Sequence, residues 1–249
     1  MRRSLIFLFI IIVCIGSFFF YQDYIKQHRL NNQKMFDVVM AEKMRELYDQ
    51  AQDWSTPVEF EVHDDRLSGD YQKMSAFLLG YWMQNVEARN HYLRELKAAK
   101  WDTFLDVERL DRDRTENYKE TTQMFVEVRN ASVQYEQKRQ KIYLDSLEQV
   151  KKMSIQQDLR QTLLTKLESN LEIDSNEDIF SIEQQIIEKA QAMFDLLKAH
   201  PWQIKNKMIL FHENAPVKKF NTLYQEVLKL NSQMNKIKKN NTEILEEAL

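Results

Sequence analysis

Histidines and carboxylates four residues apart are the first place to look for chemistry, because one helix face can then present them together to a metal ion or a substrate. Glu87, His91 and Glu95 have that spacing. A metal centre in a helical bundle draws several inward carboxylates and histidines from different helices, typically as Glu-x-x-His pairs, and the chain contains no such pair. The trio therefore reads first as a solvated polar stripe supported by contacts with Arg94 or neighbouring lysines, and a metal-dependent enzyme is the weakest of the functional readings. His63-Asp64-Asp65 falls in a loop, where such a trio reads as exposed charge before it reads as a loop metal site.

Other chemistries lack their scaffolds. Three glycines in 249 residues cannot build a Gly-x-Ser-x-Gly elbow or a glycine-rich phosphate loop. Cys14, the single cysteine, lies in an apolar segment, which excludes an intramolecular disulfide and cysteine catalysis. No catalytic, cofactor-binding or metal-ligating residue is assigned, no cofactor is expected, and the chain reads as non-enzymatic.

The elements that position these residues are helices. Only three prolines accompany the three glycines, and between Pro57 and Pro201 the chain is rich in residues that cost little in a helix. Of its 35 basic groups, Arg2 and Arg3 precede the apolar segment, which leaves 33 against 38 acidic ones, a net −5, over residues 22–249. That balance disfavours nucleic acid as a partner.

Residues 5–21 carry no charge and as a helix reach roughly 26 Å, close to the hydrocarbon thickness of a bilayer. Arg2, Arg3 and this run also fit a cleaved secretory signal. Phe18-Phe19-Phe20-Tyr21 continue the apolar run where a processed signal turns polar, so a retained signal anchor is the expectation. Val13 stands where a small residue precedes the acylated cysteine of a lipoprotein, which makes acylation of Cys14 the minor alternative. The short amino-terminal tail keeps to the cytoplasm in such anchors, which places the protein in the inner (cytoplasmic) membrane, single-pass, with the bulk of the chain in the periplasm.

Beyond the anchor at 1–21, residues 22–54 read as a membrane-proximal helix packing on the bundle through Met35, Phe36, Val39, Met40, Met44 and Leu47. Residues 55–249 read as an extracytoplasmic helical bundle. Val58 to Val62 alternates like one short extended segment that makes no sheet. A helix over about 70–100 carries the uncharged run 74–83, a bundle centre in which Gly80 lets another helix come close. A short helix through Leu110 leads into an exposed charged link, Asp111-Arg112-Asp113-Arg114. Over 115–153 one long helix has Phe125, Val128, Ser132, Tyr135, Arg139, Ile142 and Ser146 at heptad spacing without coiled-coil chemistry.

Further helices follow Ser154 and a polar turn at 174–178, and Pro201 closes the second of them. Residues 202–211 read as a β-hairpin turning at Asn206-Lys207, with a helix entered at Pro201 as the alternative. A last helix follows Pro216 with Phe220, Leu223, Tyr224, Val227, Leu228, Leu230 and Met234 on its apolar face. The fold class is all-α: an N-terminal transmembrane helix followed by an elongated four- to five-helix bundle, with room for one small β-hairpin.

Trp202-x-Ile204, Asn206-x-x-Ile209-x-Phe211 and Phe220-Asn221-x-Leu223 resemble a pattern in YiaF-like helical envelope proteins of Gram-negative bacteria. Lys207 stands where that pattern turns on glycine. The resemblance implies an inner-membrane-linked periplasmic protein and assigns no functional residue. Two roles fit a chain of this kind. One is a membrane-anchored, non-enzymatic binding or scaffold protein of the cell envelope, held in the membrane by residues 5–21 and engaging an envelope protein. The other is a ligand- or lipid-binding sensory bundle with Phe77, Tyr81, Trp82, Tyr92 and Trp101 around a pocket. Oligomeric state has no signature in the sequence.

Overall fold

The structure, a computed structural model, describes the backbone over residues 2–177 and 179–248, and side chains over 27–168, 179–240 and 242–243. The helices are α1 (Arg2–Gln52), α2 (Gly69–Ala98), α3 (Val107–Thr115), α4 (Lys119–Lys152), α5 (Gln157–Glu177), α6 (Ile179–Ala199) and α7 (Asn214–Ala248). A 3-10 turn, Trp101–Thr103, precedes α3, and strands β1 (Trp202–Lys205) and β2 (Met208–Phe211) separate α6 from α7. Six helices, the short α3 among them, follow α1 in the described residues, against the four or five expected. Among the described residues no helix is long and apolar enough to cross a membrane, and residues 5–21, read as the anchor, lie outside those whose side chains are described.

α1 and α2 run parallel, because the 53–68 connection leads the chain back from Trp54 to Ser68 beside Asn32. Asn32 clasps the backbone of Ser68 in both directions at one end, Phe36 meets Tyr71, and Arg94 donates to the carbonyl of Trp54 at the other. α4 returns antiparallel along α2, so that Lys73 reaches the carbonyl of Ser154 while Trp101 meets Phe125. α6 packs on α7, tied by the Lys189–Glu226 ion pair at 2.7 Å, and α7 reaches α1 where Thr242 bonds Tyr48.

Residues buried at three- and four-residue steps on these helices build one core in three parts. At the end near Asn32, Tyr71, Met74 and Phe77 pack with Val150, Leu163 and Leu167. Tyr92, Ala131 and Phe180 form the middle. At the far end Leu110, Phe125, Val128, Phe194, Trp202 and Phe211 meet, with rings in edge and stacked contacts that add to their area burial. The heptad positions of α4 face this core: Phe125, Val128, Ser132, Ile142 and Ser146 are buried, and Tyr135 and Arg139 half-buried.

The hairpin forms where it is expected. Lys205 pairs with Met208 across the two-residue turn, and Asn206 and Lys207 take φ of 53° and 59°, the mirror-image turn that matches strand twist. No strand forms over 58–62.

Several expectations are corrected. Residues 111–114 are the second half of α3 instead of an exposed link, and Asp113 is 4% exposed. Its carboxylate caps α4, accepting from the backbone N–H of Glu120 and Thr121 and from the Thr121 hydroxyl. α7 begins at Asn214, ahead of Pro216, and Tyr224 and Leu228 are exposed. α5 continues to Glu177 through most of the polar run, and only position 178, outside the described residues, separates it from α6. Gly80 admits no neighbouring helix, since a Cβ there meets nothing within 4 Å. The backbone at Gly80 is helical and the space open, so Gly80→Ala raises stability by about 0.5–1 kcal/mol, read as a higher urea midpoint at unchanged slope. An unchanged or lower midpoint refutes this reading of the glycine.

Candidate functional site

Two features stand out: a cleft between α2 and α4, and the hairpin at the end of the bundle remote from Asn32.

The cleft has a volume of about 490 Å³, within the range of small-molecule sites. Small Ala88 and Ala131 leave its floor low, and Met83, Tyr92 and Tyr135 wall it. Tyr92 and Tyr135 stack 4.9 Å apart, and Phe180 meets both edge-on. Behind the rings, Arg89 holds Glu183 through two bonds of 2.6 and 2.5 Å, with its guanidinium 5.2 Å from the Tyr92 ring and 5.7 Å from Tyr135. Burial opposes the Arg89 charge, yet the Glu183 carboxylate outweighs it and holds the guanidinium above its ordinary pKa. Burial, with the Glu183 charge adding, pushes the Tyr92 phenol up to about 12, so it is a neutral hydrogen-bonding group at pH 7. Its hydroxyl lies beside that of Ser132 without a well-aligned hydrogen bond.

Glu87, His91 and Glu95 all line this cleft from α2. Both Glu87 oxygens are committed, one to Arg94 at 2.5 Å and the other to the backbone N–H of Val58 at 3.1 Å. His91 Nδ1 lies 3.7 Å from Glu95. Among the described residues no three such side chains are arranged to hold a metal ion. His63, Asp64 and Asp65 belong to a different device. Arg66 binds Asp64 at 2.8 Å and Glu42 of α1 at 2.6 Å, which fixes the 53–68 connection to α1. The Arg66 hydrogen bond pulls the Asp64 carboxyl down to about 2.

No family model, curated protein or solved structure matches the chain.

The five aromatic residues expected around one pocket are distributed along the whole bundle. Phe77 and Tyr81 pack at the Asn32 end, Trp101 stands in the far core beside Phe104, and only Tyr92 lines the cleft. Periodicity on α2 alone does not show which of its faces an antiparallel partner leaves open. The α4 side of the cleft, Ala131, Gln134, Tyr135 and Lys138, escaped notice for that reason.

At the far end, Trp202 and Phe211 face inward as a cross-strand pair, and Phe211 meets Phe220 of α7. Trp202 Nε1 donates to Tyr118 Oη at 2.8 Å, Tyr118 donates to the carbonyl of Leu197 at 2.9 Å, and Arg114 lies 4.4 Å over the indole while donating to the Trp202 carbonyl. The hairpin is thereby fixed to α3, α4 and α6 together. Its outer face carries Met208, 64% exposed, and Leu210, and Lys205, Lys207, Lys218 and Lys219 are exposed on the hairpin and the start of α7.

Proposed function

We propose that the protein is a membrane-anchored, non-enzymatic helical scaffold of the cell envelope. Residues 5–21 hold it in the inner membrane, single-pass with its bulk in the periplasm, and its hairpin end engages an envelope protein with an acidic, partly apolar face. One observation carries the reading: an exposed methionine beside Lys205 and Lys207, on a hairpin held rigidly at the end of α2 away from Asn32. α2 has 30 residues and so sets those two ends roughly 45 Å apart. Residue 32 follows the anchor by eleven positions, so an anchored chain carries the hairpin well clear of the bilayer. The resemblance to YiaF-like envelope proteins falls on the hairpin and the start of α7, in keeping with that placement. An apolar side chain beside Lys205 and Lys207 on a fixed hairpin suits a partner whose opposite charge steers encounter and whose pocket buries the methionine.

A photo-crosslinking residue placed at Met208 in cells tests this, with the same residue at exposed Gln149 of α4 as the control. The expected result is one reproducible envelope protein captured from position 208 alone and lost in a Lys205→Glu/Lys207→Glu background. No adduct at 208, or equal capture at both positions, refutes the reading.

A further inference from the structure

The cleft between α2 and α4 plays no part in the hairpin reading, and its chemistry is specific. Along α2 its lining extends from Met83 to Glu95, roughly 18 Å of helix, so about 490 Å³ is drawn out into a narrow trough. A trough of that shape suits an extended chain better than a compact ring system. Its floor and walls are alanine, methionine and the stacked tyrosines, which favour an apolar body.

The charges at the rim select the head group. An organic cation is poorly served: Arg89 already stands against both tyrosine rings, and Glu87 gives one oxygen to Arg94 and the other to Val58. Glu95 lies beside His91. Lys138, on the α4 side, has no ion pair among the described residues and is exposed. An anionic head meets a free ammonium there, while the chain it carries lies on Ala88, Ala131 and the tyrosines.

We propose that this cleft binds a single acyl chain ending in an anionic head, with Lys138 holding the head. Both a free fatty acid and an anionic lysophospholipid present that chemistry. The full-length protein in phosphatidylcholine nanodiscs is irradiated with a diazirine-bearing fatty acid and the adducts are mapped by mass spectrometry. Adducts are expected within 83–95 and 131–138 and are removed by an unlabelled competitor. Competition by laurate alone assigns a free acid, and competition by lysophosphatidylglycerol alone assigns the lysolipid. Lys138→Glu is expected to lower labelling by the acid at least fivefold while leaving labelling by the matching diazirine alcohol unchanged.

Gln134→Trp, at an exposed position over the trough, is expected to abolish labelling by both probes, with an unchanged thermal melt showing that the bundle is intact. Ala88→Leu, which raises the floor, does the same from below and decides the matter if the tryptophan variant unfolds. Adducts elsewhere in the chain, an acid signal indifferent to Lys138→Glu, or labelling that survives both blocked clefts overturns the proposal. Crosslinking at Met208 is untouched by any of these outcomes.

Discussion

Asp113→Ala lowers the unfolding free energy by about 3–5 kcal/mol, the range for removing one partner of a buried charge pair. The carboxylate is 4% exposed and lies 3.8 Å from Arg109, itself buried. Arg109 is otherwise held by the carbonyls of Thr103 and Phe104 and by the Thr121 hydroxyl, so it stays in place, loses its buried counter-charge and keeps only the half-exposed Glu120 carboxylate at 3.8 Å. Two backbone N–H groups in the first turn of α4 lose their acceptor at the same time. Asp113→Asn keeps one acceptor oxygen and costs less. Denaturant midpoints at pH 7 rank the three proteins, and a loss below about 1 kcal/mol for the alanine variant refutes the account.

The same carboxylate ties stability to pH. Burial raises its pKa, but the hydrogen bonds from Thr121 and Glu120 and the Arg109 charge together hold it below the ordinary value of about 3.9. A carboxyl depressed in the folded state contributes its stability above the unfolded pKa and loses it as the pH falls through the folded one. The melting temperature of the wild type therefore declines on acidification from about pH 5 to pH 3. In Asp113→Asn the melting temperature starts lower and declines less across that window. Parallel melting curves for the two proteins would show that other carboxylates set the slope.

That network explains why the sequence misled at Asp111-Arg112-Asp113-Arg114. Four alternating charges carry the pattern of a solvated segment, and nothing local separates Asp111, half-exposed beside Arg114, from the buried Asp113. The distinction lies in what surrounds each side chain. Arg109 sits one turn earlier on the same face, and the chain doubles back through Asn117 and Tyr118, both at positive φ, to bring Thr121 within reach. Arg109 and Asp113 at i, i+4 were a visible signal, though it points equally to an exposed pair.

On α4 periodicity was enough: its heptad positions turn inward on α2 and, through Phe125, on α6. α7 packs along α6 and β2 and, among the described residues, bonds α1 at Thr242, so its apolar stripe is wider than the face it buries, and Tyr224 and Leu228 fall on the open side. The hairpin was legible from Pro201, the paired apolar residues and the Asn206-Lys207 turn, because its geometry is local. The cleft was half legible. Glu87, His91 and Glu95 share a face in any helix, but that this face borders a trough depends on alanine at 131, in register with Ala88 on the other helix.

Trp202→Ala is expected to cost about 3–5 kcal/mol, the range for emptying a large aromatic site in a core. The indole is 3% exposed, so little solvent reaches the space it leaves, and Phe211 opposite loses its cross-strand partner. The effect reaches past the cavity because Trp202 is also where three helices hold the hairpin: Arg114 of α3 stacks on it, Tyr118 before α4 accepts its N–H, and Leu197 of α6 accepts from that tyrosine. Trp202→Phe retains most of the packing and loses one hydrogen bond and much of the cation–π surface, a cost of about 1–2 kcal/mol. Hydrogen exchange separates local from global loss. In Trp202→Ala the amides of 202–211 exchange faster by a larger factor than those around Tyr71, Phe77 and Leu163, which belong to the core at the other end. Uniform acceleration along the bundle would mean that the hairpin opens only with the whole protein. The variant also bears on the scaffold proposal: a docking tip that depends on being held rigid loses capture at Met208 in Trp202→Ala and keeps most of it in Trp202→Phe, whereas equal capture in both would show that the partner reads the lysines and not the fold beneath them.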